Sequence, residues 1–361
     1  MKIKLLSILA ILILIFYGRR IGTEAILPKY PESIGISIVK DPKKVYIKGY
    51  KVFNAGVIKE GDGYVFATRK RAESRLRGLW DRHVSKINSK GIAIGELDQA
   101  FSQRGEATYY RDSQQVDGLD VQYIDPRLVR VGEDIYMVYC RQINRPTRAL
   151  SEACLHLAKL VNEQGLWKVA TDKKLTFDGA EEFYQKGLVQ KGFEKNWMPF
   201  SENGRLYFIY LMEPEHVVLE SNLETGQLQI CSRTENPFKK EVNAPRGSSP
   251  AVFDEELGQW ITCYHYVFPT TRKITGKQVD AYFFGAYAFS KEAPYTILRR
   301  TPGPLMGDGL YNNFHKIIFP TSLVRDGEDY LIFYGDDDVK NKVARISRNE
   351  LIASMKEAGD D

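Results

Sequence analysis

Apolar and polar positions along this chain recur as one unit. Each copy starts with a small or polar residue, often followed by proline. An apolar run, a glycine-containing turn and an aromatic-rich run then follow. The unit reads FNAGVIKEGDGYVFATR at 53–69, IDPRLVRVGEDIYMVYCR at 124–141 and WMPFSENGRLYFIYLME at 197–213. It recurs as SSPAVFDEELGQWITCYHY at 248–266 and FPTSLVRDGEDYLIFYGDDD at 319–338. Two strand-like runs around a turn rich in Gly, Asp, Asn or Glu predict a β-hairpin. Pro126, Pro199, Pro250 and Pro320 fall at the first residues of a strand, where a missing N–H is tolerated.

The copies begin about 50 to 75 residues apart, which leaves room for a second pair of strands in each. ACLHLAKLV (153–161), LESNLETGQLQICS (219–232) and AYFFGAYAFS (281–290) fit those places. Four strands in each of five copies predict an all-β, five-bladed β-propeller over residues 26–346. Only 71–87 and a C-terminal stretch, 347–358 within a tail of 347–361, read as helical. In the latter, Ser347 and Glu350 stand at capping-box spacing.

One apolar run breaks this pattern. LLSILAILILIFY, residues 5–17, follows Lys2 and Lys4 and precedes Arg19 and Arg20. As a helix it would cover roughly 20 Å, short of a hydrocarbon core of about 30 Å. That length suits a signal-peptide core, but no clean small-residue cleavage site follows, and arginines can snorkel to lengthen a short span. Residues 1–25 are therefore expected to form an N-terminal hydrophobic helix. It would act as a retained signal anchor or as a cleaved signal peptide, leaving the body membrane-anchored or secreted.

The net charge of +5 shrinks once that segment is set aside. Without Lys2, Lys4, Arg19 and Arg20 the chain holds 47 basic and 46 acidic residues, so it has no global basic field to hold nucleic acid. Cys140, Cys154, Cys231 and Cys263 show no C-x-x-C spacing, and no zinc or redox site is expected. Phosphate-binding glycine loops and nucleophile elbows are absent from the sequence. No cofactor is expected.

In a hairpin the start of the first strand lies beside the end of the second. In a propeller the corresponding rims of all blades converge on the central channel. Polar residues collect at those positions. First-strand starts supply Asn54, Asp125, Glu194, Lys195, Asn196, Arg246, Ser248 and His315. Second-strand ends supply Arg69, His265, Asp336 and Asp338. Trp197 could shape a wall. Carboxylates, arginines, amides and aromatics on one rim suit a sugar, whose hydroxyls take bidentate hydrogen bonds and whose faces pack on aromatic rings. Asp125 and Glu194 are the candidate catalytic carboxylates, since paired carboxylates serve glycosyl transfer. The Asp336–Asp338 run invites a metal reading, but consecutive aspartates at a strand end more often form a solvated turn, and no metal site is assigned.

These segments resemble the five-bladed β-mannoside phosphorylases and hydrolases of glycoside hydrolase family 130 and the related β-mannosyltransferases. IDPRLVRVGEDIYMVYC is similar to that group's E-D-P-R segment, and NAG (54–56) to its N-(P/A)-G segment. FGAYAFSKEAPYTILRRTPGPLM (284–306) and IIFPTSLVRDGEDYLIFYGDDD resemble its later connection and ending. EKNW with EPEH (213–216) looks closer to the transferase-like branch. The resemblance covers roughly residues 45–345, and the order of the segments is its specific part.

The resemblance implies an inverting mechanism with Asp125 as proton donor, directly or through a sugar hydroxyl. It places Arg127 near the sugar or the attacking group, and it matches Asp338 to the group's terminal aspartate. Ile124, Ser322, Asp336 and Asp337 depart from the pattern. The expected protein is a membrane-tethered glycosyltransferase acting on a glycan with a sugar-nucleotide or sugar-phosphate donor. An exported hydrolase or phosphorylase is the alternative, and a non-catalytic glycan-binding propeller is the second alternative.

Overall fold

The computed structural model describes residues 24–28, 35–48, 52–71, 89–111, 120–144, 151–238 and 244–359. The expected hydrophobic segment at 5–17 lies outside the described residues. So does the expected helix at 71–87, apart from Arg71, which ends a strand. Among the described residues no helix is long and apolar enough to cross a membrane.

Five antiparallel sheets form the blades. Blade 1 comprises Val52–Glu60, Gly63–Arg71, Ser89–Leu97 and Gln103–Tyr110. Blade 2 comprises Asp120–Val131, Asp134–Asn144, Glu152–Glu163 and Leu166–Lys174. Blade 3 comprises Met198–Glu202, Arg205–Leu211, Glu215–Ser221 and Gln227–Glu235. In blade 4 the first strand is split into Arg246–Gly247 and Val252–Asp254, followed by Gln259–Thr271, Gln278–Ser290 and Ile297–Arg300.

Blade 5 holds Ile318–Asp326, Asp329–Asp336 and Lys340–Ser347. Its fourth strand, Lys40–Lys44, comes from the other end of the chain and pairs antiparallel with the third. This stitch joins both ends of the propeller in one sheet. The pattern did not announce it, because KDPKK is polar and carries a proline. Those are features of an edge strand protected from further pairing.

Packing closes the ring. Val57, Phe66, Leu331 and Phe333 share one core cluster between blades 1 and 5. Ile94, Tyr123, Leu128 and Met137 fill the gap between blades 1 and 2. Val138, Leu155, Phe208 and Val217 fill that between blades 2 and 3, and the largest cluster spans blades 3, 4 and 5. A second strand such as Asp329–Asp336 is buried almost throughout, because neighbouring blades cover both its faces. That explains its aromatic-rich, non-alternating sequence. Burying each large apolar side chain contributes about 1.5–3 kcal/mol.

The C-terminal helix is shorter than expected, spanning Arg348–Ser354. Ser347 occupies its N-cap in an extended conformation but makes no side-chain capping bond. Glu350 instead pairs with Lys40 of the closing strand at 2.7 Å. Arg348 forks onto buried Asp254 at 2.7 and 2.8 Å. Lys356–Glu357 then adds an edge strand to blade 4.

Candidate active site

The site begins with backbone irregularities at the first strands. In blade 1 the ladder slips between Phe53 and Gly56, and in blade 2 between Ile124 and Arg127. Each slip is a β-bulge that turns one residue into the left-handed region. Those residues are Asn54, at φ 54°, and Asp125, at φ 51°. Asn and Asp tolerate this conformation better than other non-glycine residues, and a bulge re-aims its side chain. Asn196 and Lys316 share it, at φ 66° and 59°, just before the first strands of blades 3 and 5. The neighbouring blades fit closely around these bulges. A Cβ on Gly56 would lie 2.4 Å from the Pro126 carbonyl oxygen, and one on Gly335 would lie 1.7 Å from Asn54 Oδ1.

Three blades meet in one hydrogen-bonded group. Asn54 Nδ2 donates to Asp125 Oδ1 at 2.9 Å and to Asp338 Oδ1 at 3.1 Å. Arg69 Nη1 donates to the same Asp125 oxygen at 3.0 Å. Asp125 keeps 16% of its side chain open and Arg69 14%, so a substrate can reach both. Burial works to raise the Asp125 pKa, but Arg69, Asn54, Arg127 and Lys195 outweigh it and hold the carboxyl below its ordinary value. Asp125 is therefore ionised in the free protein at neutral pH.

Beneath this group lies Arg127, almost fully buried. Its Nε donates to the Ser248 carbonyl oxygen and its Nη1 to the Asp125 carbonyl oxygen at 3.2 Å. Its buried Nη2 has no partner among the described residues. Ser248 Oγ and His265 Nδ1 are 2.8 Å apart. His265 stacks on Tyr282, with ring centres 5.6 Å apart, and meets Phe319 edge-on. Burial, with Arg246 and Arg127 nearby, pushes the imidazole down to about 3, so His265 is neutral. Ser248 and His265 are closed to solvent. They sit under the site and hold Arg127 and Tyr282, rather than presenting their own polar atoms to a sugar.

Other expected residues are placed differently. Glu194 makes no hydrogen bond to the Asp125 group. Its carboxylate accepts from Tyr184 at 2.6 Å, Tyr210 at 3.1 Å and the Trp197 indole at 3.2 Å. Burial raises its pKa against those three donors. Trp197 is buried against Phe208 and Tyr210 in the blade 3 core, so it does not line an open wall. Asp336 is buried too, taken by Lys342 at 2.9 Å and Asn313 at 2.7 Å. The expected solvated turn of aspartates is thus partly interior. Asp337 accepts the backbone N–H groups of Phe314 and His315, and His315 Nδ1 lies 3.4 Å from Arg272.

Lys195 and Arg246 are exposed and within electrostatic reach of His265, and Lys195 also of Asp125. No side-chain partner places Asn196 in the network, although its backbone has the same hand as Asn54 and Asp125.

Sequence reasoning missed Tyr282 and Asn341. Tyr282 lies near the start of the third strand of blade 4, opposite Val267 and outside the first hairpin, where the rim residues were sought. Burial, and then the Asp338 carboxylate, raise its pKa. Asn341 Oδ1 accepts the Ala55 N–H at 2.9 Å and so pins the bulge that carries Asn54. Its only sequence signal is an amide in an otherwise apolar and basic strand.

Comparison with known proteins agrees with this architecture. The profile of glycoside hydrolase family 130, described as beta-1,4-mannooligosaccharide phosphorylase, matches residues 19–357. No curated protein matches the sequence. A β-1,2-mannobiose phosphorylase from Listeria innocua, solved with β-1,2-mannobiose, has 12% identity and a TM-score of 0.56, covering 88% of this chain and 96% of its own. A glycosyl hydrolase from Bacteroides ovatus has 15% identity and a TM-score of 0.54, covering 93% and 99%. A structure described under family 130 hydrolases that target β-1,2 mannosidic linkages in Candida mannan has 13% identity and a TM-score of 0.53, covering 90% and 97%. At such identities the structures show a shared fold, while the profile spans nearly the whole chain. The chain belongs to glycoside hydrolase family 130, whose enzymes act on mannosides by glycosyl transfer or hydrolysis.

Proposed function

We propose that the protein exchanges a β-mannosidic bond for a bond to phosphate, with inversion, as a mannoside phosphorylase. One observation carries this reading: an ionised Asp125 surrounded by cations. Arg69 touches it, Arg127 lies beneath it, Lys195 stands open beside it, and Arg246 stands open beside His265. Against these stand Asp125 and Asp338, so the group has positive charge left over to hold a phosphate.

The charge balance also supplies the proton. A carboxyl held below its ordinary pKa carries no proton to give. A phosphate entering beside Asp125 places like charge next to it and raises its pKa, which loads the acid. The glycosidic bond then breaks as a phosphate oxygen bonds to C1 from the opposite face. Asp125 gives its proton to the leaving oxygen, directly or through a sugar hydroxyl. In the reverse direction the same carboxylate takes the acceptor's proton. Asn54 and Asp338 bind sugar hydroxyls beside it.

Hydrolysis would need a second carboxylate to activate water. The candidate from the sequence, Glu194, has its oxygens occupied by two tyrosines and an indole. Transfer from a sugar nucleotide is the second reading, because a pyrophosphate would bring the same kind of charge to the same cations. Residues 5–17 would tether the enzyme to a membrane in either case.

Incubation with β-mannobiose, with and without inorganic phosphate, tests the proposal. Mannose 1-phosphate formed only with phosphate is the expected product. Free mannose formed at an equal rate without phosphate would show hydrolysis. Elongation of an acceptor from GDP-mannose alone would show transfer.

A further inference from the structure

Among the described residues, the ladder between the second and third strands of blade 4 is longer than its counterparts in the other blades. Its strands, Gln259–Thr271 and Gln278–Ser290, pair from Gln259↔Ser290 out to Thr271↔Gln278. His265 marks the level of the site, and Thr271 lies six residues further toward the mouth side. At about 3.3 Å per residue the hairpin stands roughly 20 Å beyond His265 along the strand. Its tip reads Arg272-Lys273-Ile274-Thr275-Gly276-Lys277. Three of these six residues are basic and none is acidic. Ile274 is 65% exposed, the most exposed large apolar side chain among the described residues.

The N-terminal segment is fastened to this hairpin. Ala25 bridges Arg272, Ile26 N donates to the Thr271 carbonyl oxygen at 2.8 Å, and Lys273 N donates to the Glu24 carbonyl oxygen at 2.9 Å. Ala25 N donates to the Phe314 carbonyl oxygen at 2.9 Å, and the Glu24 carboxylate pairs with Lys273 at 3.0 Å and Lys316 at 3.4 Å. Ala25 is fully buried, whereas Ile26 is 43% exposed. Glu24 is thus fixed at the mouth-side rim, between blades 4 and 5. Only six residues separate it from Tyr17, the last of the apolar run, so the linking chain can reach about 25 Å at most.

We propose that the 271–278 hairpin docks on an anionic phospholipid bilayer and that the mouth of the site faces that bilayer. The inference rests on the membrane tether proposed above. It adds an orientation that a tether alone does not set. Lys277, exposed on the hairpin, meets the anionic headgroups with Lys273 beside its Glu24 partner, while Ile274 enters the headgroup–acyl boundary as an exposed apolar residue next to a cation does. The far-face turns, such as Gly132–Glu133 in blade 2, point away from the membrane.

The test uses the full chain in vesicles of phosphatidylcholine and phosphatidylglycerol with brominated acyl chains. Ile274→Trp and Glu133→Trp are compared with the parent protein by tryptophan quenching. The added emission from position 274 should fall at least about twofold in anionic vesicles, and that from position 133 should be unchanged, as expected for a side chain placed in the interface. Lys277→Glu in the Ile274→Trp background should weaken the quenching. A chain that fails to float with vesicles would sink the tether and the docking together. A chain that floats, with position 274 unquenched or both positions quenched alike, would overturn the orientation alone. Neither result bears on phosphate dependence, which is read with soluble mannobiose.

Discussion

Asp125 and Glu194 start from the same reading of the sequence: a carboxylate at the start of a blade's first strand. Their neighbours make them opposites. Asp125 sits on a bulge, meets Asn54 and Arg69, and has its pKa held down by surrounding cations. Glu194 is taken by two tyrosine hydroxyls and an indole, with no cation in contact, and burial raises its pKa. Position at the rim therefore does not make a carboxylate chemical. What differs is the balance: the cations and Asn54 around Asp125 outweigh its desolvation, whereas the three neutral donors to Glu194 do not.

The largest effect expected from this contrast is on turnover. Asp125→Asn should lower kcat by about 10²–10⁴-fold with substrate binding retained, measured as phosphate-dependent cleavage of β-mannobiose. An unchanged kcat would remove Asp125 from the chemistry. Next comes Gly335→Ala, whose Cβ cannot coexist with Asn54 Oδ1 at 1.7 Å. Displacement of Asn54 should cost about 10–100-fold in kcat/KM while circular dichroism stays that of the parent. Wild-type kinetics for this variant would show that Asn54 is not a positioning residue.

Glu194→Ala should behave in the reverse way. Leaving the buried Trp197 and Tyr210 donors and the half-buried Tyr184 hydroxyl without an acceptor should cost about 1–3 kcal/mol of stability, seen as a lower Tm, with kcat within roughly threefold of the parent. A loss in kcat as deep as that of Asp125→Asn would return Glu194 to the catalytic machinery.

The smallest effect is a pair of opposite pH slopes. The Asp125 pKa lies below its ordinary 3.8 in the folded protein. Its contribution to stability is present above that value and is lost as pH falls through the folded pKa. The Glu194 pKa is raised above its ordinary 4.5. Its contribution is present below 4.5 and is lost as pH rises through the folded pKa. In thermal melts across pH, Asp125→Asn should therefore approach the parent's stability in acid. Glu194→Gln should gain on the parent as pH rises above 4.5, on top of a constant cost from facing the Trp197 indole N–H with an amide. Parallel curves for the two variants would mean that the two carboxylates are not electrostatic opposites.

Much of the blade plan was legible because hairpins are local. A turn glycine, two apolar runs and a leading proline lie within twenty residues of one another, so five copies could be counted. The Asn54, Asp125, Arg69 and Asp338 positions at the rim followed from hairpin geometry, whereas Arg127 came from the family resemblance. Lys40–Lys44 was not legible, because its partner strand lies some 300 residues away and its own composition is that of a polar edge. Tyr282 escaped notice because it stands near the start of a third strand, outside the first hairpin in which rim residues were sought. The blade 4 sheet had to extend past the rim, and His265 had to stack on it, before Tyr282 could be placed. Glu194 and Trp197 are placed differently from expectation for one reason: the sequence shows that a carboxylate and an indole are near each other, but not that the indole donates to the carboxylate from inside the core.

The chain by itself settled the repeat count, the all-β class and the polar character of one rim, because these depend on periodicity and on turn chemistry within each hairpin. Tertiary structure alone decided which rim residues share a charge, which are sealed beneath it and where the ring is stitched shut. Those outcomes depend on contacts between blades, and a left-handed bulge or a missing Cβ in one blade acquires meaning only from the backbone of the next.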